Sequence, residues 1–314
     1  MAIPKANHYV TAAIDGPADY TTHPRGGTIV SESDPSDTYA LGRSAAETQR
    51  LIRQAQIYGP LTRRFFASAG ITAGMKVLDV GSGAGDVALL VADLVGPRGA
   101  VIGLETNPTI LQTARARVRA TGWTNVTFLE GDVQNIGLDG NFDAVVGRWI
   151  LMYLQDPAAV LRRLLERLQP GGVVAFQEND FTYPPTTFPP APVHQQVKQW
   201  TSPPAGGGGP DQQMGSKLYR TYLDAGLPAP QLLLDAPIGG GEDWPGYAYV
   251  ADTVRSLLPM LEKVGMVSAE EVEVDTLADR LRAEVVAQQG VQMLPIVIGA
   301  WARKQTSSPS FEPR

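Results

Sequence analysis

The chain has 314 residues, 43% of them hydrophobic and 18% charged, with a formal net charge of −6. That is apolar material for one large domain with embellishments or two small ones, and the mild acidity argues against a non-specific nucleic-acid binder. There is no cysteine, which excludes disulfides, thiolate zinc sites and cysteine nucleophiles, and the three histidines (His8, His23, His194) are too scattered to suggest a metal centre.

Residues 1–43, rich in Pro, Gly, Thr, Ser and Asp, read as an arm that orders only by packing on something else. Ser44 and Glu47 have capping-box spacing, so a helix is expected from there until Gly59-Pro60 ends it, with a shorter helix from Leu61 to about Ala69. From Met75 short β-rich runs alternate with helical segments. "MKVLDV", "AVIGLE", "NVTFLE", "FDAVVG" and "GVVAFQE" are strand candidates, separated by helices near 84–95, 107–121 and 157–168. Strands without polar alternation, separated by helices, predict a doubly wound parallel α/β sheet. Residues 44–178 form this core. Residues 179–290 begin with an irregular stretch of prolines and a four-glycine run, then hold a helix over 212–225, a strand "APQLLLDA" and two helices between 244 and 289. One long strand, "VQMLPIVIGAWARK", and a tail complete the chain over 291–314.

The chemistry concentrates in "VLDVGSGAGD", residues 77–86. Glycines between a strand and a helix let a ligand approach the backbone, and the helix start offers free N–H groups. Gly81, Gly83 and Gly85 give G-x-G-x-G, whereas a dinucleotide fold would place its last glycine at Asp86. Asp79, two residues before the first glycine, would also repel a pyrophosphate. The ligand should therefore be neutral or cationic.

S-adenosylmethionine meets that requirement, and the segment resembles the first motif of the class I S-adenosylmethionine-dependent methyltransferases. Glu105 ends the second strand 20 residues beyond Gly85, where the family's acidic residue grips the ribose hydroxyls. Asp132 in "EGDV" resembles the carboxylate that accepts from the adenine amine. "FDAVVGRWILMYL" and "LQPGGVVAFQEND" resemble the family's fourth and fifth strand regions. The resemblance implies a mostly parallel seven-stranded sheet with an N-terminal helical cap and lid insertions, closest to the small-molecule branch that holds the ubiquinone and menaquinone enzymes. Ser82 departs from it, since many relatives carry cysteine there. The cofactor residues so implied are Asp79, Gly81, Ser82, Gly83, Gly85, Glu105, Thr106, Asp132, Val133 and Arg148, with Tyr39 and Gln54 closing over the methionine end. Each has a plainer reading too: Gly85 for close helix packing, Glu105 as a helix cap, Arg148 as a salt-bridge partner.

Methyl transfer is an in-line displacement, so a base is needed only for a hydroxyl or protonated amine acceptor. His194, in the irregular stretch, and Glu178, at the fifth strand's end, are the catalytic candidates, against a solvated loop histidine and a loop-bonding carboxylate. Asp180 is a neighbouring candidate for orienting an acceptor. Phe181, Tyr183, Phe188 and Trp200 hint at an apolar or aromatic acceptor, or simply pack the loop. A nucleic-acid methylase is disfavoured by "GRWI" at the end of the fourth strand and by the missing cysteine. A rival reading keeps the cofactor but catalyses a non-methylating rearrangement in natural-product biosynthesis. With no signal-peptide pattern and no apolar run of membrane-spanning length, a cytoplasmic monomer or homodimer is expected, acting on a small molecule without nucleic-acid or membrane partners.

Overall fold

The computed structural model describes residues 35–134, 141–201 and 210–306, with side chains from Arg50 onward. The expected arm up to residue 34, the four-glycine run and the last eight residues lie outside that set.

A single helix, α1 (Pro35–Ser68), replaces the two expected helices and begins inside the expected arm. Pro60 removes one backbone donor, but it lies on the exposed face. Tyr58, Thr62, Phe65 and Phe66 on the other face are buried. Their burial is worth several times the lost hydrogen bond, at roughly 1.5–3 kcal/mol for each large apolar side chain. The punctuation read in Gly59-Pro60 was overridden by packing.

The core then alternates as expected: β1 (Lys76–Val80), α2 (Asp86–Val95), β2 (Ala100–Glu105), α3 (Pro108–Thr121), β3 (Val126–Glu130), β4 (Phe142–Arg148), α4 (Pro157–Glu166) and β5 (Leu168–Asp180). The expected irregular stretch instead holds β6 (Thr186–Phe188) and α5 (Pro192–Thr201). Beyond them come α6 (Met214–Asp224), β7 (Gln231–Asp235), β8 (Ile238–Gly239), α7 (Gly246–Lys263), α8 (Ala269–Val272) and α9 (Leu277–Ala287). Three helices thus occupy the region where two were expected. The long final strand is split at Leu294-Pro295 into β9 (Val291–Met293) and β10 (Ile296–Arg303), because proline cannot donate to a ladder.

Seven strands form one sheet in the order β3-β2-β1-β4-β5-β10-β7, and β10 alone runs against the rest. β6, β9 and β8 form a second, three-stranded sheet. The sheet order reverses between β1 and β4, and in such sheets ligands bind at strand C-termini beside this switch point. The pleat decides what each side chain can reach. Val173 and Ala175 of β5 pack with α2, α3 and the lower half of α1, whereas Val174 and Phe176 pack with α4, α6 and α7. By alternation, Gln177 and Asn179 face α1, while Glu178 and Asp180 face α6.

Candidate active site

The chain leaves β1 through Gly81, Gly83 and Gly85, all left-handed, with φ of 68°, 52° and 84°. They do different jobs. A Cβ on Gly81 would lie 2.7 Å from Ile150 Cδ1, and one on Gly85 would press on Phe128 and Ala114. Those two permit close packing, as the plainer reading of Gly85 held. At Gly83 a Cβ would meet nothing within 4 Å, so its backbone faces open space. Asp86 is tied to Arg117 at 2.6 Å, and Arg117 also donates to the Ala84 carbonyl.

Glu105 ends β2 and folds back onto this turn. Its Oε2 accepts from the Gly83 N–H at 3.0 Å, while Oε1 accepts from the backbone N–H groups of Thr106 and Asn107 and from the Thr106 hydroxyl. The cap of α3 is Asn107, whose side chain takes the N–H groups of Thr109 and Ile110. Glu105 therefore braces the glycine turn rather than capping the helix. Asp132 follows β3, placed by the Gly131 N–H donating to the Glu105 carbonyl, and its own carboxylate accepts from the Gln134 N–H. Val133 packs on the hydrophobic core.

Asp79 is completely buried, and neither carboxylate oxygen makes a well-formed hydrogen bond among the described residues, with only a loose approach from the Ala88 backbone. Burial pushes its pKa well above the ordinary value, Arg148 opposes the shift, and the charges of Glu105 and Asp86 add to it. The Ser82 hydroxyl is buried and likewise has no partner among the described residues. Such atoms are costly unless a ligand satisfies them. Arg148, at the end of β4, donates to Thr62 Oγ1 at 3.0 Å and lies 4.8 Å over the Trp149 ring. Thr62 also bonds Gln177 of β5 at 2.7 Å, so α1, β4 and β5 are joined just above the core.

One turn farther along α1, Tyr58 meets Trp149 edge-on at 5.0 Å and Tyr249 of α7 at 5.8 Å. Trp149 has a left-handed backbone (φ 59°), rare for a bulky residue and costing on the order of 1–3 kcal/mol, and its indole N–H is buried without a partner among the described residues. Asn179, one pleat beyond Gln177 on the same face, has a buried Oδ1 without a partner among the described residues. Gln54 is buried and accepts from Arg50. Tyr39 lies on α1, but its side chain is outside the described residues.

The sequence expectations singled out Glu178 and Asp180 at the end of β5 and passed over Asn179 between them. Glu178 Oε1 accepts the N–H groups of Ile150 and Leu151, and Asp180 is taken by Ser216 and Thr182. Burial alone would raise the Asp180 pKa, but those hydrogen bonds outweigh it and hold the carboxyl below its usual range. Two-residue alternation starting from Asp79, and from the Gln177 position facing α1, is the signal that points to Asn179.

His194 departs most from expectation. It lies in α5, buried, with Nε2 2.9 Å from the Gln292 amide nitrogen and Nδ1 3.4 Å from Glu284. With both ring nitrogens engaged, it is neither a solvated loop histidine nor a base with a free lone pair. Phe188 and Tyr183 are exposed, so they do not pack the segment down. Among the described residues no helix is long and apolar enough to cross a membrane, and no acidic, histidine or cysteine group could hold a metal.

A family model for a methyltransferase domain matches residues 71–222. The aklanonic acid methyltransferase DauC of Streptomyces sp. (strain C5) is 30% identical over 173 residues, covering 52% of this chain and 78% of that protein. The chain belongs to the class I S-adenosylmethionine-dependent methyltransferases. A demethylmenaquinone methyltransferase of Lactococcus lactis is 31% identical over 129 residues, or 41% of this chain, and the chain spans about half (48%) of its length. A solved candidate methyltransferase from Bacillus halodurans C-125 matches with a TM-score of 0.50 at 17% identity, over 77% of this chain and 98% of that one, which speaks to fold alone.

The methyltransferase cofactor, S-adenosylmethionine, suits the residues present. The open backbone of Gly83 admits a ligand, and the orphaned Asp79 carboxylate and Ser82 hydroxyl need one. Three acidic groups around the turn favour a cation over a pyrophosphate.

Proposed function

We propose that this methyltransferase methylates a small metabolite with an apolar or aromatic body, at oxygen or nitrogen. The observation that carries this reading is a pair of buried polar atoms without a partner among the described residues: Trp149 Nε1, within the Tyr58, Trp149 and Tyr249 ring cluster that follows β4, and Asn179 Oδ1, at the end of the neighbouring β5. One donor and one acceptor among aromatic walls suit a flat acceptor with a few polar atoms better than a polymer. The relatives named for aklanonic acid and demethylmenaquinone support a metabolite acceptor.

When bound, S-adenosylmethionine supplies an electrophilic methyl group on a sulfonium. In this reading Glu105 and Thr106 hold the ribose, Asp132 and Val133 the adenine, and Asp79 with the backbone of Gly81 to Gly85 the amino-acid end. Gln54 and Tyr39, both on α1, are the candidates for the methionine end, and Arg148 holds α1 to β4 through Thr62. Residues 179–290 supply the acceptor side. Trp149 and Asn179 orient the acceptor and exclude water, so positioning and desolvation carry most of the rate. His194 takes no part in proton transfer, because Gln292 and Glu284 occupy its ring nitrogens.

Incubation of the protein with methyl-labelled S-adenosylmethionine and a panel of aromatic hydroxy acids, phenols and amines tests this. Labelled product together with S-adenosylhomocysteine is expected. Conversion of an acceptor without consumption of the cofactor would overturn methyl transfer in favour of a rearrangement.

A further inference from the structure

Glu178 is fully buried at the end of β5, on the face opposite Asp79. Its Oε1 accepts from the Ile150 N–H at 3.0 Å and the Leu151 N–H at 2.8 Å, at the start of the 3₁₀ turn Leu151–Tyr153. The Ile150 side chain stands where a Cβ on Gly81 would be, 2.7 Å from that position, and it also crowds Gly147. A continuous line of contact therefore runs from the Glu178 carboxyl, through the Ile150 backbone and side chain, to the first glycine of the cofactor turn.

We infer that Glu178 is a positioning residue, which sets cofactor affinity by pinning Ile150 against Gly81 and does not touch the reacting atoms. Two hydrogen bonds accepted by one oxygen fix the turn; the other oxygen, Oε2, is buried and has no partner among the described residues. An unpartnered oxygen is tolerable on a neutral acid and costly on an anion. Burial raises the Glu178 pKa to about 8, opposed by the backbone N–H groups of Leu151, Ile150 and Met152 and reinforced by the charge of Asp211. The other titratable group whose charge interaction with it is resolved is Tyr222 of α6, and Asp211 is itself paired with Lys217. At neutral pH Glu178 is thus a carboxylic acid, and it ionises just above that range.

Titration of S-adenosylhomocysteine by calorimetry into wild type, Glu178→Gln and Glu178→Ala, from about pH 6.5 to about pH 9.5, tests the inference. Glutamine keeps a carbonyl for both N–H groups and cannot ionise, so Glu178→Gln should bind within about twofold of wild type at pH 7. Glu178→Ala removes the acceptor of both N–H groups and should bind about tenfold more weakly or worse. The ratio of the wild-type to the Glu178→Gln dissociation constant should fall about fivefold or more between about pH 7 and about pH 9, because the ionised carboxylate accepts the same N–H groups more strongly and pins the turn harder. That comparison cancels titration of the ligand's own amine, and it stands even where the alanine variant does not fold. Parallel pH profiles for wild type and Glu178→Gln, or wild-type affinity in a folded Glu178→Ala, would overturn the inference.

Discussion

Glu105 accepts four hydrogen bonds, and the one from Gly83 ties the acidic residue to the glycine turn it serves. In the reading proposed for the cofactor, ribose hydroxyls join this set of donors to a carboxylate, and such bonds are worth about 1.5–3 kcal/mol each. Glu105→Ala should therefore raise the S-adenosylhomocysteine dissociation constant about a hundredfold, partly by releasing the turn. An unchanged constant in a folded variant would remove Glu105 from the site. At this scale much was legible in the sequence. Asp79, the three glycines and Glu105 occupy strand ends, where spacing by itself fixes their neighbourhood. Asn179 was legible only through the strand's alternation, which turns the two acids flanking it to the other face. Glu178 was placed at the right strand end, but the backbone groups it bonds are 27 and 28 residues away in the chain.

At the scale of elements, α5, α7, α9 and β9 meet at one buried polar junction. Trp244 Nε1 can only donate, and it donates to Gln292 Oε1 at 2.9 Å. The Gln292 amide nitrogen must then face His194 Nε2, which makes that nitrogen an acceptor and puts the proton on Nδ1 toward Glu284. Glu284 also takes the Val193 N–H at the start of α5. Burial lowers the His194 pKa from its ordinary 6.5, with Glu284 opposing. The unfolded chain therefore binds the proton more readily than the folded one. Stability from this group is complete above about pH 6.5 and declines as pH falls from there toward the folded pKa. The urea midpoint of wild type should drop between about pH 7 and about pH 5 more steeply than that of His194→Gln. Equal slopes would mean the junction tolerates imidazolium. Sequence could not place His194 here, because its partners Glu284 and Gln292 lie 90 and 98 residues away and the prolines around it disguised a helix.

Over the whole molecule, the acidic turn and the neutral or cationic ligand it selects give a choice between cofactors. S-adenosylhomocysteine at about a hundredfold excess over its dissociation constant contributes about 2.7 kcal/mol of stability, enough to raise Tm by about 4 °C. NAD at the same concentration should leave Tm unchanged. A shift with NAD and none with S-adenosylhomocysteine would reverse the reading of Asp79 and the glycine spacing.

What the sequence determined by itself is the alternation of strands and helices from β1 to β5, the glycine turn with its acidic partners, and hence the fold and cofactor class. These are local signals: hydrophobic period, turn chemistry and fixed offsets between strand ends. The tertiary structure alone decided that α1 runs unbroken through Pro60, that the final strand splits at Pro295 and that a small second sheet stands beside the first. It also decided which polar side chains at the strand ends are consumed by hydrogen bonds within the fold and which have no partner among the described residues. Those outcomes depend on packing energies of several kcal/mol between residues far apart in the chain, which outweigh local propensities of about 1 kcal/mol or less per residue.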